Sequence, residues 1–459
     1  MRYLITTLAE YQTAFWVKVG LELRAKGHEA GFLSFDDRST EMLKVAGLTV
    51  FPATDRPSRG EASGPAFDDA LQRFGITDLN FWFGHERFAF DLRDSVELRC
   101  KLLGALNAAD RACSSFGAGG SFTVIQELGG FLSVVGTYFA ARHHGVDNWF
   151  VEPAFFRGRL FFLRNSFAAL PVNEPAVGPV PAAVTAYLED TVSRGAIVVP
   201  AKDRHQYTTA WKKIINMRNA RRLVQKLADK YLRGKRQEFG YIGTHVAKHA
   251  RMLRSSFQLR RNYTPLAGVG PFVYYPLHVP GDMALTLRTP HLLDQLALVD
   301  YICRSVPHTH RVVIKEHPAM VGAIDAQRVL ALLRRHDNLM LLPPSTNNYE
   351  VLAAAAAVVS VNSKSGAEAA LVGKPVIVVG DAFYRGSPLV VAVDRLQDLP
   401  AALAGNLAPD RASPSRDQVL AYFAAVWARC EPGELYVTDD ASVRTFSASM
   451  VHVVGQPQA

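Results

Sequence analysis

Cysteine is scarce in this chain and poorly spaced for chemistry. The four thiols, Cys100, Cys113, Cys303 and Cys430, form no CxxC pair and no Cys/His set with metal-ligand spacing. A disulfide scaffold and a zinc module are thereby excluded, no metal is expected, and the thiols read as reduced groups of a cytoplasmic protein. Long apolar runs are missing too: none reaches the roughly 18 residues that span a bilayer. The opening MRYLITTLAEYQTAFWV is not expected to act as a signal peptide, because Glu10 interrupts it and no small-residue cleavage site follows. Internal repeats and low-complexity tracts are absent, which excludes solenoids and fibrous folds. Acid is nearly missing from residues 204–261, where only Asp229 and Glu238 oppose sixteen Lys and Arg. That stretch more than accounts for the net charge of +9, so the remainder is close to neutral.

What is present is a chain of 459 residues, 49% hydrophobic and 20% charged, enough for two globular domains with separate cores. Apolar runs at 3–6, 30–35 and 48–51 read as strands, with helices at 15–26 and 40–46 between them. Residues 122–125 and 148–151 continue the pattern around a helix at 131–143. Strand–helix–strand spacing of this kind builds a parallel sheet with right-handed crossovers. Pro171, Pro175, Pro179 and Pro181 then mark a connection. The basic stretch reads as helical, with Trp211, Ile214, Ile215, Leu223, Val224, Leu227 and Tyr231 as an apolar stripe. A second alternating unit follows, with strands at 272–275, 311–314, 339–342, 357–361 and 376–379 and helices at 291–305, 324–335, 347–356 and 365–371. The expected fold class is α/β, two Rossmann-like domains facing a cleft, as in GT-B transferases and some sugar epimerases. Its expected parts are a first domain at 1–170, a linker and basic helical insertion at 171–262, a second domain at 263–405, and a helical tail at 406–459 that returns to brace the first domain.

Ligands of open parallel sheets bind beyond the carboxyl ends of the strands. Three loops of the second unit sit there. Lys315-Glu316-His317-Pro318 follows the strand at 311–314, and Pro318 fixes the turn that carries His317. A histidine so placed either donates to a phosphate oxygen as charge builds on a leaving nucleotide or satisfies local backbone groups. Asn362-Ser363-Lys364-Ser365-Gly366-Ala367-Glu368 follows the strand at 357–361. Ser363 or Ser365 can cap the next helix, Gly366 permits close approach, and Glu368 can accept from ribose hydroxyls; a plain capped helix is the alternative. Gly380-Asp381-Ala382-Phe383-Tyr384 offers an aromatic pair for stacking on a base, closing the cleft, or edge packing.

Taken together, Tyr275-Pro276-Leu277-His278, Asp294-Gln295, Lys315 through Pro318, Asn362-Ser363, Gly366 through Glu368, Gly373-Lys374-Pro375-Val376 and Gly380 through Tyr384 are more specific than any one loop. Over them the chain resembles the capsular polysaccharide biosynthesis family, whose characterised members include β-Kdo transferases. Gln126-Glu127-Leu128-Gly129-Gly130-Phe131 and Glu152-Pro153 extend the resemblance into the first half. The resemblance implies a GT-B fold with the nucleotide on the second domain. The His-Pro pair is similar in kind to that of bacterial sialyltransferases, which implies a CMP-linked donor, with His317 on its phosphate and Ser363 to Glu368 on phosphate and ribose. His278, Asp282 and His85 are expected to line the substrate site. Where relatives continue Pro-Leu-His with Gln-Pro-Glu, this chain has Val279-Pro280-Gly281-Asp282, so Asp282 either replaces that glutamate or leaves its role unfilled. A transferase also needs a carboxylate on the first domain. Glu127 is the first candidate and Glu152 the second, as general base for the acceptor hydroxyl or as a nucleophile; a helix cap or buried ion pair is the alternative for each.

The function expected is transfer of Kdo or a related ulosonic acid from a CMP donor to a surface polysaccharide or lipid-linked glycan. Competing readings are a UDP- or GDP-sugar transferase, a nucleotide-sugar epimerase, and a non-catalytic export or scaffold protein. Nucleic acid is not an expected partner, since the basic segment lacks the glycine- and aromatic-bearing readout motifs of RNA modules. Residues 204–261 are expected to meet an anionic membrane surface, which would make the protein peripheral on the inner membrane face; a solvated interdomain helix and contact with a partner protein are the alternatives.

Overall fold

The structure, a computed structural model, describes residues 1–195, 199 and 224–456. In the first half the strands are β1 (Arg2–Thr7), β2 (Glu29–Ser34), β3 (Thr49–Pro52), β4 (Thr123–Glu127), β5 (Asn148–Pro153) and β6 (Arg159–Arg164). The second half holds β7 (Phe272–Pro276), β8 (Arg311–Lys315), β9 (Leu339–Leu342), β10 (Ala357–Ser360), β11 (Val376–Val378) and β12 (Val391–Ala392), and β13 (Glu431–Pro432) comes last. One sheet runs β13-β6-β5-β4-β1-β2-β3, the other β12-β11-β10-β7-β8-β9. All pairings of the second sheet are parallel, and its order is that of a doubly wound dinucleotide-type fold. The first sheet has the same order through β5 and then closes with antiparallel β6 and β13. The chain is therefore α/β with the two Rossmann-like units of the GT-B arrangement.

Strands buried on both faces explain why the sequence shows them as continuous apolar runs: the successive residues Leu4 and Ile5, Val273 and Tyr274, and Val312 and Val313 are all buried. Each unit has hydrophobic clusters of its own, and one further cluster spans both. Phe155, Phe156 and Phe161 of the first pack with Tyr384, Tyr422 and Phe423 beside the second. The tail crosses back: β13 pairs with β6, and helix Asp440–Gly455 sets Phe446 against Phe15 and Trp16 of helix Glu10–Ala25.

Several elements differ from expectation. Between β3 and β4 lie four helices not read from the sequence, Arg59–Ser63, Pro65–Phe74, Leu79–Phe90 and Ser95–Gly117. The helix expected at 291–305 begins only at Gln295, because Pro290 opens a 3-10 turn and Asp294 caps the helix by accepting the Ala297 N–H. The basic insertion is broken within its described part: a π-helical turn, Ala228–Leu232, and the left-handed Gly234 precede helix Ile242–Leu259. Of its apolar stripe, Val224, Leu227 and Tyr231 face solvent rather than a core, while Trp211, Ile214, Ile215 and Leu223 lie outside the described residues. No helix among the described residues is long and apolar enough to cross a membrane.

Candidate functional site

In both sheets strand order reverses at the middle, and the crevice there is where ligands of such folds sit. In the second unit it lies between β7 and β10, and the second residues beyond those strands are His278 and Asn362. They touch: the Asn362 N–H donates to His278 Nε2 at 3.3 Å. Burial pushes the His278 ring down to about 4, so it is neutral at physiological pH. Gln295 holds the His278 backbone on both sides, accepting its N–H at 2.7 Å and donating to its carbonyl at 3.3 Å.

His317 stands next door at the end of β8, its turn pinned from both flanks. The Lys315 ammonium is buried and donates to the Thr346 carbonyl at 2.9 Å; burial pulls its pKa down to about 8. Glu316 is buried too, accepting from Gly322 N–H at 2.8 Å and Tyr263 hydroxyl at 3.2 Å, and burial raises its carboxyl. His317 itself is half-buried and caps the short Pro318–Met320 turn, its Nδ1 accepting the Ala319 N–H at 3.2 Å. That bond leaves the ring proton on Nε2, the form able to donate to an anionic oxygen.

Ser363 caps helix Lys364–Leu371, its Oγ accepting the Ser365 N–H at 3.1 Å. Two residues expected to meet nucleotide stand behind this loop instead. Tyr384 is 1% exposed, and its hydroxyl bonds Ser360 Oγ at 2.8 Å and the Ser363 carbonyl at 2.6 Å. Gly366 makes room for it, since a Cβ there would lie 2.1 Å from the tyrosine oxygen. Glu368 is 3% exposed and accepts from Asn348 Nδ2 at 2.6 Å, the same amide that donates to Ser365 Oγ at 3.1 Å. Burial raises its carboxyl to about 7. Both shape the loop from within, Glu368 on a helix whose residues 366–370 are all buried and Tyr384 in the space beside Gly366, and neither presents itself for stacking or for a ribose.

The segment that departs from the family pattern joins the two units. Gly281 adopts φ +81°, and a Cβ there would come within 3.1 Å of Ala89 on helix Leu79–Phe90. Asp282 caps the next short helix, Met283–Thr286, by accepting the Ala284 N–H at 3.0 Å. Thr286 reaches His85 of the first unit, Oγ1 to Nδ1 at 2.8 Å. The threonine proton goes to the Asp282 carbonyl at 3.2 Å, so the histidine donates and its buried Nε2 keeps a lone pair with no partner among the described residues. Arg288 continues the seam, donating to the Phe167 carbonyl and to Glu152 Oε1, each at 2.8 Å. Asn362 Nδ2 holds this segment from below through the Ala284 carbonyl and Thr289 Oγ1.

The two candidate carboxylates part company here. Glu127 of β4 is in register with Val151 of β5, so Glu152, the next residue, points to the opposite face of the sheet. Glu152 is an interdomain ion-pair partner. Glu127 stands at the first sheet's own reversal, between β4 and β1, and accepts from Gln12 Nε2 at 2.9 Å and from the Tyr436 hydroxyl. Tyr436 comes from the tail and holds φ +66°. Gln12, Thr286, Arg288, Asn348 and Tyr436 were missed from sequence. Asn348 alone carried a local signal, beside the Asn347 cap of helix Asn348–Ala354.

The residues that build this crevice lie within a stretch that is similar to known proteins. A family profile described as capsule polysaccharide biosynthesis protein matches residues 135–392. Protein FixF of Sinorhizobium fredii (strain NBRC 101917 / NGR234) is 31% identical over 147 residues, covering 32% of this chain; the chain thus matches only 35% of that relative's length. Among solved structures, the β-Kdo 2,7 transferase of Thermosulfurimonas dismutans KpsC aligns with 76% of this chain and 89% of its own, at 16% identity and a TM-score of 0.35. UDP-GlcNAc 2-epimerase from Neisseria meningitidis aligns over 98% and 100% at 10% identity and 0.26, and the calicheamicin glycosyltransferase CalG4 over 99% of each at 13% and 0.32. The structural likenesses are loose, whereas the profile spans more than half of the chain and takes in His278, His317, Ser363 and Tyr384. By that match, this chain belongs to the capsule polysaccharide biosynthesis protein family.

Proposed function

We propose that this protein is a glycosyltransferase that moves a sugar, Kdo or a related ulosonic acid, from a CMP donor onto a surface polysaccharide or glycolipid acceptor. The observation that carries the reading is His317, held with its proton on Nε2 at a strand end beside the reversal of the second sheet. There it donates to the donor phosphate as the bond from the anomeric carbon to the phosphate oxygen breaks and charge collects on the departing nucleotide. The capped loop at Ser363 adds backbone N–H groups for the same phosphate. Glu127, at the reversal of the first sheet, takes the proton of the attacking acceptor hydroxyl. Thermal shift with CMP, UDP and GDP tests the donor assignment. A nucleotide that binds only the folded state adds about 2.7 kcal/mol at a hundredfold excess over its Kd. CMP is expected to give the largest shift, and a larger one with UDP or GDP refutes a CMP donor.

The same reading places the protein peripherally on the inner membrane face. Residues 239–281 contain no Asp or Glu. Helix Ile242–Leu259 leaves Val246 and Phe257 more than half exposed, and the Arg260 guanidinium lies 4.2 Å from the Phe257 ring centre. A mixed apolar and cationic face of this kind suits an anionic surface, at about 1 kcal/mol per cation near it. Lys212, Lys213, Arg221 and Arg222, the other cations assigned to that contact, lie outside the described residues.

A further inference from the structure

Helix Ile242–Leu259 of the basic insertion rests on both units. Its 18 residues reach about 27 Å at about 1.5 Å each. Its first half lies on the first unit: His245 meets the Phe90 ring edge-on at 5.6 Å between centres, and the Lys248 ammonium donates to the Ala89 carbonyl at 3.4 Å. Its second half lies on the second unit. Leu259 joins the buried cluster that holds Val312, Ile314 and Leu341, and just past the helix the Thr264 N–H donates to the Leu341 carbonyl at 2.8 Å. Held at its far end by the first unit, the helix is a fixed abutment for whatever packs against its second half.

Two contacts from that half end on the loop that carries His317. Tyr263 donates its hydroxyl to Glu316 Oε2 at 3.2 Å. Gly322 is buried at φ +80° against the helix, where a Cβ would lie 2.0 Å from the Met252 carbonyl oxygen and 3.0 Å from the Ser256 nitrogen. Glycine is needed there twice over, for the left-handed backbone and for the close approach of the helix. Glu316 links the two contacts, because its Oε1 accepts the Gly322 N–H at 2.8 Å. That bond closes the loop 316–322 around His317. Inside it, the Ala319 N–H donates to His317 Nδ1 at 3.2 Å and the Met320 N–H to the His317 carbonyl at 2.9 Å.

We propose that Tyr263 and Gly322 are positioning residues for His317, acting through Glu316, so that the basic insertion serves the donor site; this rests on the transferase reading above. A histidine on an open loop samples many directions, and each bond that closes the loop removes some of that freedom. A donor held in place before charge develops is the one that stabilises it best. The helix backbone at Met252 blocks outward movement of the loop at Gly322, and Tyr263 fixes the carboxyl that ties the loop shut.

Hydrogen–deuterium exchange of the full chain tests the loop, and calorimetric titration with CMP, UDP and GDP tests its consequence. In Tyr263→Phe and in Gly322→Ala the amides of residues 319–322 are expected to exchange about tenfold faster, with β8 exchanging as in the parent. Both variants should bind the nucleotide about threefold to tenfold more weakly. In a His317→Ala background neither substitution should weaken binding further, because both act through that ring, whereas a merely structural role leaves the effects additive. Glu316→Gln keeps an acceptor for the Gly322 N–H and should behave like the parent, while Glu316→Ala should lose both protection and affinity. Parental exchange in both variants, or equal weakening with and without the His317 ring, overturns the positioning role. A parent that binds UDP or GDP in place of CMP refutes the CMP donor alone, and the cycle is then read with that nucleotide. A parent that binds none of the three overturns the donor site and the positioning role together.

Discussion

Replacing Arg288 with methionine separates two roles for Glu152. The arginine side chain is 8% exposed and that of Glu152 20%, and their 2.8 Å bond crosses between the units. Removing one partner of a fully buried pair costs about 3–5 kcal/mol. Partial solvation of Glu152 brings this down to about 2–3 kcal/mol for Arg288→Met, which also strips the Phe167 carbonyl of its donor. Glu152→Gln keeps an oxygen able to accept from Arg288, so its cost is about 1 kcal/mol. In a double-mutant cycle followed by urea unfolding, the coupling is expected at about 1.5 kcal/mol or more. Transfer in Glu152→Gln should stay near the parent level, since the carboxylate clamps the units and does not touch the reacting atoms. Coupling below about 0.5 kcal/mol refutes the clamp. Abolished transfer in a stably folded Glu152→Gln protein returns this carboxylate to the chemistry.

Two substitutions test the residues assigned to the reaction. His317→Ala removes a donor at developing charge and is expected to lower turnover by about 10²–10³ with the fold intact, so near-parental kcat would reduce His317 to a turn cap. Glu127→Gln should abolish transfer yet leave the CMP thermal shift unchanged, because Glu127 stands on the other unit; retained transfer would show that the base lies elsewhere.

The fold was largely legible because parallel strands buried on both faces leave short apolar runs rich in Val and Ile, set off by turn residues and alternating with longer helical stretches. The loops after them were legible for the same reason: once β8 and β10 are located, His317 and Ser363 must lie at their carboxyl ends. The helices between Arg59 and Gly117 had signals of their own, Ser58 with Glu61 as a capping box, Pro65 in the first turn and Asp94 as a cap. Lacking any strand between them, they had no frame to be placed in. What sequence could not show is the seam. His85 meets Thr286 across 201 residues and Arg288 meets Glu152 across 136, while on the first unit the returning tail brings Tyr436 to Glu127 across 309. Such pairs depend on how finished units and the returning tail dock, and no local period or cap encodes them. Tyr384 and Glu368 were misplaced for a related reason: a residue near a strand end can face the crevice or the core, and only packing decides.

Buried titratable groups make the seam sensitive to acid, and they do not all pull one way. His85 and His278 are each pushed down to about 4 by burial, from an ordinary value near 6.5. The folded state binds their protons less readily than the unfolded chain does. Each therefore contributes stability that is complete above pH 6.5 and is lost as pH falls toward 4, about 3 kcal/mol per ring. Asp282 opposes this shift at both rings, while Lys101 and Lys248 reinforce it at His85 and His317 at His278. Glu368 acts with opposite sign. Its carboxyl is raised to about 7, so acidification from 7 toward 4.5 stabilises the fold there by a comparable amount. The pH profile of the parent protein thus mixes opposing contributions, and only differences between variants isolate one group. His85→Gln keeps a neutral donor for Thr286 but cannot be protonated. Its stability relative to the parent should rise by about 3 kcal/mol between pH 7 and pH 4, measured by urea unfolding at each pH. A difference that stays constant over that range would mean that the His85 ring is not held neutral against the seam.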